Sequence, residues 1–138
     1  MNHYIECKKI SCVFCKEIRH IEQVLKVSVR SSNGKMYIMD PHGKGKVGCS
    51  HNAIRGLCYL SQSVDVLVTK ADLEQFIWQG GIVGMSSLPV LMHEVRYLLN
   101  GTDFELVTIR NKGFVFHNAK RKRLNEQEGI IVQQAVNF

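Results

Sequence analysis

Residues 69–99 carry two apolar stripes of helical period separated by a pair of glycines, and this pattern constrains the fold more than any other. Leu73, Phe76 and Ile77 form the first stripe; Leu88, Leu91, Met92, Val95 and Leu99 form the second. Thr69 offers a hydroxyl with Asp72 three residues later, close to a capping box, so a helix starts there and runs to about Trp78. Gly80-Gly81 supplies the left-handed exit that residues with a Cβ resist. Ser86 or Ser87 can cap the next helix, with Pro89 tolerated in its first turn because the amides there have no intrahelical acceptor. The reading is helix, short turn, helix, each helix burying one face.

On either side of this pair the period changes from helix to strand. Residues 26–30 and 35–40 flank Ser31-Ser32-Asn33-Gly34, and Asn-Gly favours a tight hairpin because both residues tolerate positive φ. Residues 41–46, rich in glycine and lysine, read as a loop leading to a first core helix that starts near Ser50 and turns Ile54, Leu57 and Cys58 inward. Residues 64–68 are short and β-prone. Asn100-Gly101 ends the last helix, and strands over 104–109 and 114–117 surround Arg110-Asn111-Lys112-Gly113, a hairpin with a basic tip. Near the N-terminus Ile10, Val13, Phe14, Ile18, Ile21 and Leu25 mark one further helical stripe. The expectation is an α+β fold with a three-helix core, an N-terminal antiparallel sheet and a C-terminal hairpin. Residues 1–24 form a cysteine-containing segment, 25–117 the domain, and 118–138 a basic, polar tail.

A chain of 138 residues with a formal charge of +6 is about the size of one domain, and it carries an excess of cations that favours a polyanionic partner. No stretch approaches the roughly 18 apolar residues of a membrane span, and the charged N-terminus lacks a signal-peptide apolar region, so a cytoplasmic location is expected. Five cysteines, an odd number, fit a reducing compartment better than a disulfide framework. The spacing of Cys7, Cys12 and Cys15, with His3 and His20 nearby, suits zinc or iron–sulfur ligation, but no fourth ligand is placed, and Cys12 and Cys15 also suit small half-buried positions. Cys49 and Cys58 read as structural. No phosphate-binding glycine loop, metal-binding histidine pair or nucleophile elbow is present, and the six histidines share no spacing, so neither an enzyme nor a cofactor is expected. The run Lys120-Arg121-Lys122-Arg123 suits a solvated tail or auxiliary phosphate contacts equally, and the apolar residues of 129–138 suit packing on a partner or a second copy.

Several stretches in order resemble the winged-helix domains of the OmpR/PhoB and ToxR/CadC-like bacterial transcription regulators. They are Val47-Gly48-Cys49-Ser50, Val68-Thr69-Lys70-Ala71-Asp72-Leu73 leading to Ile77-Trp78, Ser86-Ser87-Leu88, Val95-Arg96-Tyr97-Leu98-Leu99, and Thr108-Ile109-Arg110-Asn111-Lys112-Gly113-Phe114-Val115-Phe116. The resemblance covers residues 25–117. It implies a winged helix-turn-helix that reads double-stranded DNA with a recognition helix over 87–99 and a wing at Arg110, Asn111 and Lys112, with Trp78 in the core. The side chains expected to face DNA from the helix are Ser86, Ser87, Val90, His93, Glu94, Arg96 and Tyr97. A second copy on DNA, or a regulatory protein partner, is also implied. With no receiver domain ahead and no membrane span behind, regulation is expected by another route. Pro89 and Glu94 depart from the polar or basic residues many members carry. Glu94 and Val90 motivate an alternative, a winged-helix interaction module that docks to another regulator, and the N-terminal cysteines motivate a metal- or thiol-responsive sensor.

Overall fold

The computed structural model describes Cys15, residues 17–40 and residues 45–120. It is a mixed α+β structure with four helices and two small antiparallel sheets of three strands each. The helices are α1 (Ile18–Leu25), α2 (His51–Ser61), α3 (Lys70–Trp78) and α4 (Ser87–Leu98). The first sheet holds β1 (Ser28–Ser32), β2 (Lys35–Met39) and β3 (Lys46–Cys49) in that order; the second holds β4 (Leu67–Thr69), β5 (Phe104–Ile109) and β6 (Gly113–Asn118) in the order β4-β6-β5.

The first hairpin turns at Asn33 and Gly34, with φ of 53° and 78°, as the Asn-Gly signal predicts. Its first strand begins at Ser28, later than expected, because Lys26 ends α1 in a left-handed conformation (φ 58°) and its amide donates to Glu22. One strand was not anticipated, and another, expected only as a short β-prone stretch over 64–68, forms at Leu67–Thr69. β3 pairs with β2, turning Val47 and Cys49 half-inward and Lys46 and Gly48 outward. β4 is only three residues long and pairs with β6, so the expected C-terminal hairpin is part of a three-stranded sheet. α1 spans the expected division at residue 24 and buries Ile21 and Leu25, so the core is built on four helices instead of three. Ile10, Val13 and Phe14, the rest of that expected stripe, lie outside the described residues, as do Cys7, Cys12 and the tail from residue 121.

Caps fix where two of the core helices start. The Ser50 hydroxyl accepts from the Ala53 amide at 3.1 Å, and the Thr69 hydroxyl accepts from the Asp72 amide at 3.1 Å. α3 leaves through Gln79 (φ 53°) and Gly80 (φ 82°), one residue earlier than the glycine pair suggests. At α4 the expected hydroxyl cap is missing. Ser86 has helical backbone angles and no side-chain cap hydrogen bond, and Ser87 is the first residue of the helix.

The apolar stripes meet in one core in which Ile21, Met36, Ile54, Leu57, Leu60, Leu73, Ile77, Met92, Val95 and Phe116 are almost fully buried. Burying a side chain of this size stabilises by about 1.5–3 kcal/mol. Phe116 stacks on Phe104 with ring centroids 4.8 Å apart, and Phe76 meets Tyr59 edge-on at 5.0 Å. Trp78, expected in the core, is half-buried against it; Phe76 and Ile77 take the interior positions. Among the described residues no helix is long and apolar enough to cross a membrane.

Candidate functional site

Burial of Leu88, Leu91, Met92, Val95 and Leu98 fixes which way α4 faces. The opposite side presents Ser86, Pro89, Val90, His93, Arg96, Tyr97 and Asn100, all exposed and spaced three or four apart. They form one stripe about 20 Å long at 1.5 Å per residue. Val90 and Tyr97 are 67% and 60% exposed, too open for either to serve the core. Of the residues expected to face outward from this helix, Ser86, Val90, His93, Arg96 and Tyr97 do so; Ser87 and Glu94 are half-buried. Pro89 and Asn100 join the stripe without having been singled out for it.

Glu94 is engaged within the molecule. Its two carboxylate oxygens accept from the Ser50 amide at 2.8 Å and the Ser50 hydroxyl at 2.9 Å. The same hydroxyl accepts from the Ala53 amide, so one side chain both caps α2 and ties it to α4. A carboxylate at the N-terminus of α2 also sits where the helix dipole favours negative charge. The acid on this otherwise neutral-to-basic face is thereby accounted for: it fastens α4 to the start of α2.

Arg96 reaches the other way. Its Nε donates to the Leu106 carbonyl at 3.3 Å and its Nη2 to the Thr108 hydroxyl, so the guanidinium bridges α4 and β5. Two residues beyond Thr108 the hairpin turns through Arg110, Asn111 and Lys112, all exposed; Asn111 is left-handed (φ 64°), and the Lys112 amide closes the turn on the Ile109 carbonyl at 3.0 Å. Gly113 then starts β6 with φ 155°. A Cβ there would lie 2.0 Å from the Val68 carbonyl oxygen, so only glycine lets β4 approach.

The result is a helix face of mixed hydrogen-bonding and apolar side chains, joined through Arg96 to a hairpin with two cations at its tip. No protein-family model matches the chain, and no curated protein matches it. What the site can do therefore follows from its geometry and chemistry.

Two partners in this arrangement escaped the sequence reading. Ser50 and Thr108 carry no local sign that they receive Glu94 and Arg96. Ile82 and Met85, in the turn between α3 and α4, are fully exposed apolar side chains beside Val90 in sequence, and nothing in their spacing predicts it. The expected thiol cluster is represented only by Cys15, which is half-buried; Cys49 and Cys58 are half-buried against the core. Among the described residues no three His, Cys, Asp or Glu side chains are grouped to hold a metal ion. His117 pairs with Asp65 at 2.8 Å, next to the bridge between Val64 and Phe116, away from the hairpin tip at the other end of β6.

Proposed function

We propose that the protein is a sequence-specific DNA-binding transcription regulator of the winged helix-turn-helix kind, in which α3, the turn and α4 are the helix-turn-helix and β5 with β6 the wing. The observation that carries this reading is the uninterrupted outward stripe of α4 beside a hairpin whose exposed tip carries Arg110 and Lys112. An α-helix fits the major groove, about 12 Å wide, and a polar stripe on its outward side meets base edges there. Ser86, His93 and Asn100 can exchange hydrogen bonds with base edges, and Val90 and Tyr97 can make apolar contacts such as those with thymine methyl groups. Arg110 and Lys112 supply charge for phosphates, which orients the protein without reading sequence. Cytoplasmic residence and the absence of an enzymatic role belong to the same proposal.

A second reading has its own support. Ile82 and Met85 are fully exposed and Val90 two-thirds exposed, an apolar set that suits a protein partner. The two readings part on ionic strength. Titrating a labelled duplex from the gene's own upstream region, across salt from about 50 to 200 mM, should show affinity falling steeply as counterions compete for phosphate. Partner binding with no duplex binding at the lowest salt would favour the interaction module instead.

A further inference from the structure

An exposed arginine on a helix that faces DNA is ordinarily read as a phosphate contact. The geometry around Arg96 points elsewhere. Its Nε and Nη2 both donate to β5, to the Leu106 carbonyl and the Thr108 hydroxyl, two acceptors on one strand two residues apart. β5 is an outer strand of its sheet, so one of its sides has no neighbouring strand. Leu106 is also the last buried side chain of β5: Val107 and Thr108 are exposed and Ile109 is half-buried. On the neighbouring strand the tip-proximal end is held differently, by buried Gly113 and Phe114 with β4 packed alongside. The half of β5 that leads into the basic tip thus lacks a core anchor of its own, and Arg96 fastens it where the anchoring stops.

We propose that Arg96 is a positioning residue that braces the hairpin against α4, fixing the attitude of Arg110 and Lys112 to the outward stripe before any partner arrives. Its importance for DNA rests on the duplex-binding reading; the brace itself does not. A planar guanidinium suits this task because its donors form a rigid fork that spans two acceptors, and only a residue of that shape can hold both. A hairpin already held in place loses less freedom on binding, so the brace raises affinity without touching the duplex.

The test begins with the free protein. Backbone amide exchange of residues 107–109 is compared with that of α2 in the wild type and in Arg96→Met, Arg96→Lys, Thr108→Val, Thr108→Ser and the Arg96→Met/Thr108→Val pair. The brace predicts that Arg96→Met, which loses both bonds to β5, speeds hairpin exchange roughly five-fold while α2 is unchanged, and that Arg96→Lys and Thr108→Val, each giving up only part of the fork, speed it by a smaller factor. The double variant should be no faster than Arg96→Met alone, and Thr108→Ser, which keeps the hydroxyl, should exchange like the wild type. Affinity for duplex DNA should fall in the same order, with the slope of log affinity against log salt kept. A different pattern overturns the proposal: unchanged hairpin exchange, a silent Thr108→Val, an Arg96→Lys that binds like wild type, and an Arg96→Met whose salt slope drops by about 0.9, the signature of one lost phosphate contact. If the wild type binds no duplex at all, the DNA reading fails, and the exchange arm still upholds or overturns the brace.

Discussion

At the scale of single residues, two positions show how differently sequence exposes its own constraints. Gly113 and Gly101 both adopt positive φ, but only Gly113 is crowded: a Cβ there meets the Val68 carbonyl oxygen at 2.0 Å, whereas a Cβ at Gly101 meets nothing within 4 Å. Gly101→Ala should therefore destabilise by only about 1 kcal/mol, the conformational term alone. Gly113→Ala has to displace backbone as well and should lose roughly 3 kcal/mol or more. Denaturant unfolding of both variants checks the ratio, and equal losses would show that β4 does not press on β6 as described. Glu94 is the opposite case. Its partner, Ser50, lies 44 residues away, so no window of sequence reports the contact, and the side chain reads as one more polar group on an outward face. Glu94→Ala and Ser50→Ala should each lower stability by about 1–2 kcal/mol, and together by less than the sum, because the hydroxyl–carboxylate bond is lost in both while the Ser50 amide bond to Glu94 and the Ser50 cap on Ala53 are each lost in only one. A double-mutant cycle measures this directly; strict additivity would dissociate the two residues.

At the scale of elements, the signals that lie within a few residues of each other read correctly. The Asn33-Gly34 turn, the Thr69 cap, and the apolar stripes of α2, α3 and α4 were all legible because caps, turns and helical faces are local. β3 was not, and β4 only as a short β-prone stretch. A strand of three or four residues forms only because a partner waits for it, and Val68 finds its partner in Phe114, far along the chain. α4 was legible as a helix and starts at Ser87 as expected, but the serine at its threshold makes no side-chain cap bond. The outward stripe of this helix gives a further prediction. His93→Ala and Tyr97→Ala replace exposed side chains and should leave stability within about 0.5 kcal/mol. Each should nevertheless weaken specific DNA binding by about 1–3 kcal/mol, with the discrimination between cognate and scrambled duplexes reduced. Thermal melts paired with binding isotherms test it; a loss of stability matching the loss of affinity would place these side chains in the fold instead of the interface.

At the scale of the molecule, α1 ties the chain together: its Ile21 and Leu25 complete the core between the first sheet and α2, so the N-terminal helix belongs to the same packed unit as the rest. Charge was legible as a total of +6 but not as a distribution, because Glu94 and Arg96, which read as an acid and a base on one surface, each reach a different neighbour. Two struts leaving one helix in opposite directions, with a reading stripe between them, form a rigid platform. If that platform meets a duplex, the affected amides should trace a narrow band. Titrating isotopically labelled protein with a DNA duplex at low salt and following every amide resonance by NMR is the most direct measurement of the claim. The account predicts the largest shifts at Ser86, Val90, His93, Tyr97 and Asn100 of the α4 stripe and at Arg110, Asn111 and Lys112, with Ser28, Arg30 and Tyr37 of the first sheet unmoved. Shifts centred on the first sheet, or none on α4 at any ratio of DNA to protein, would contradict it.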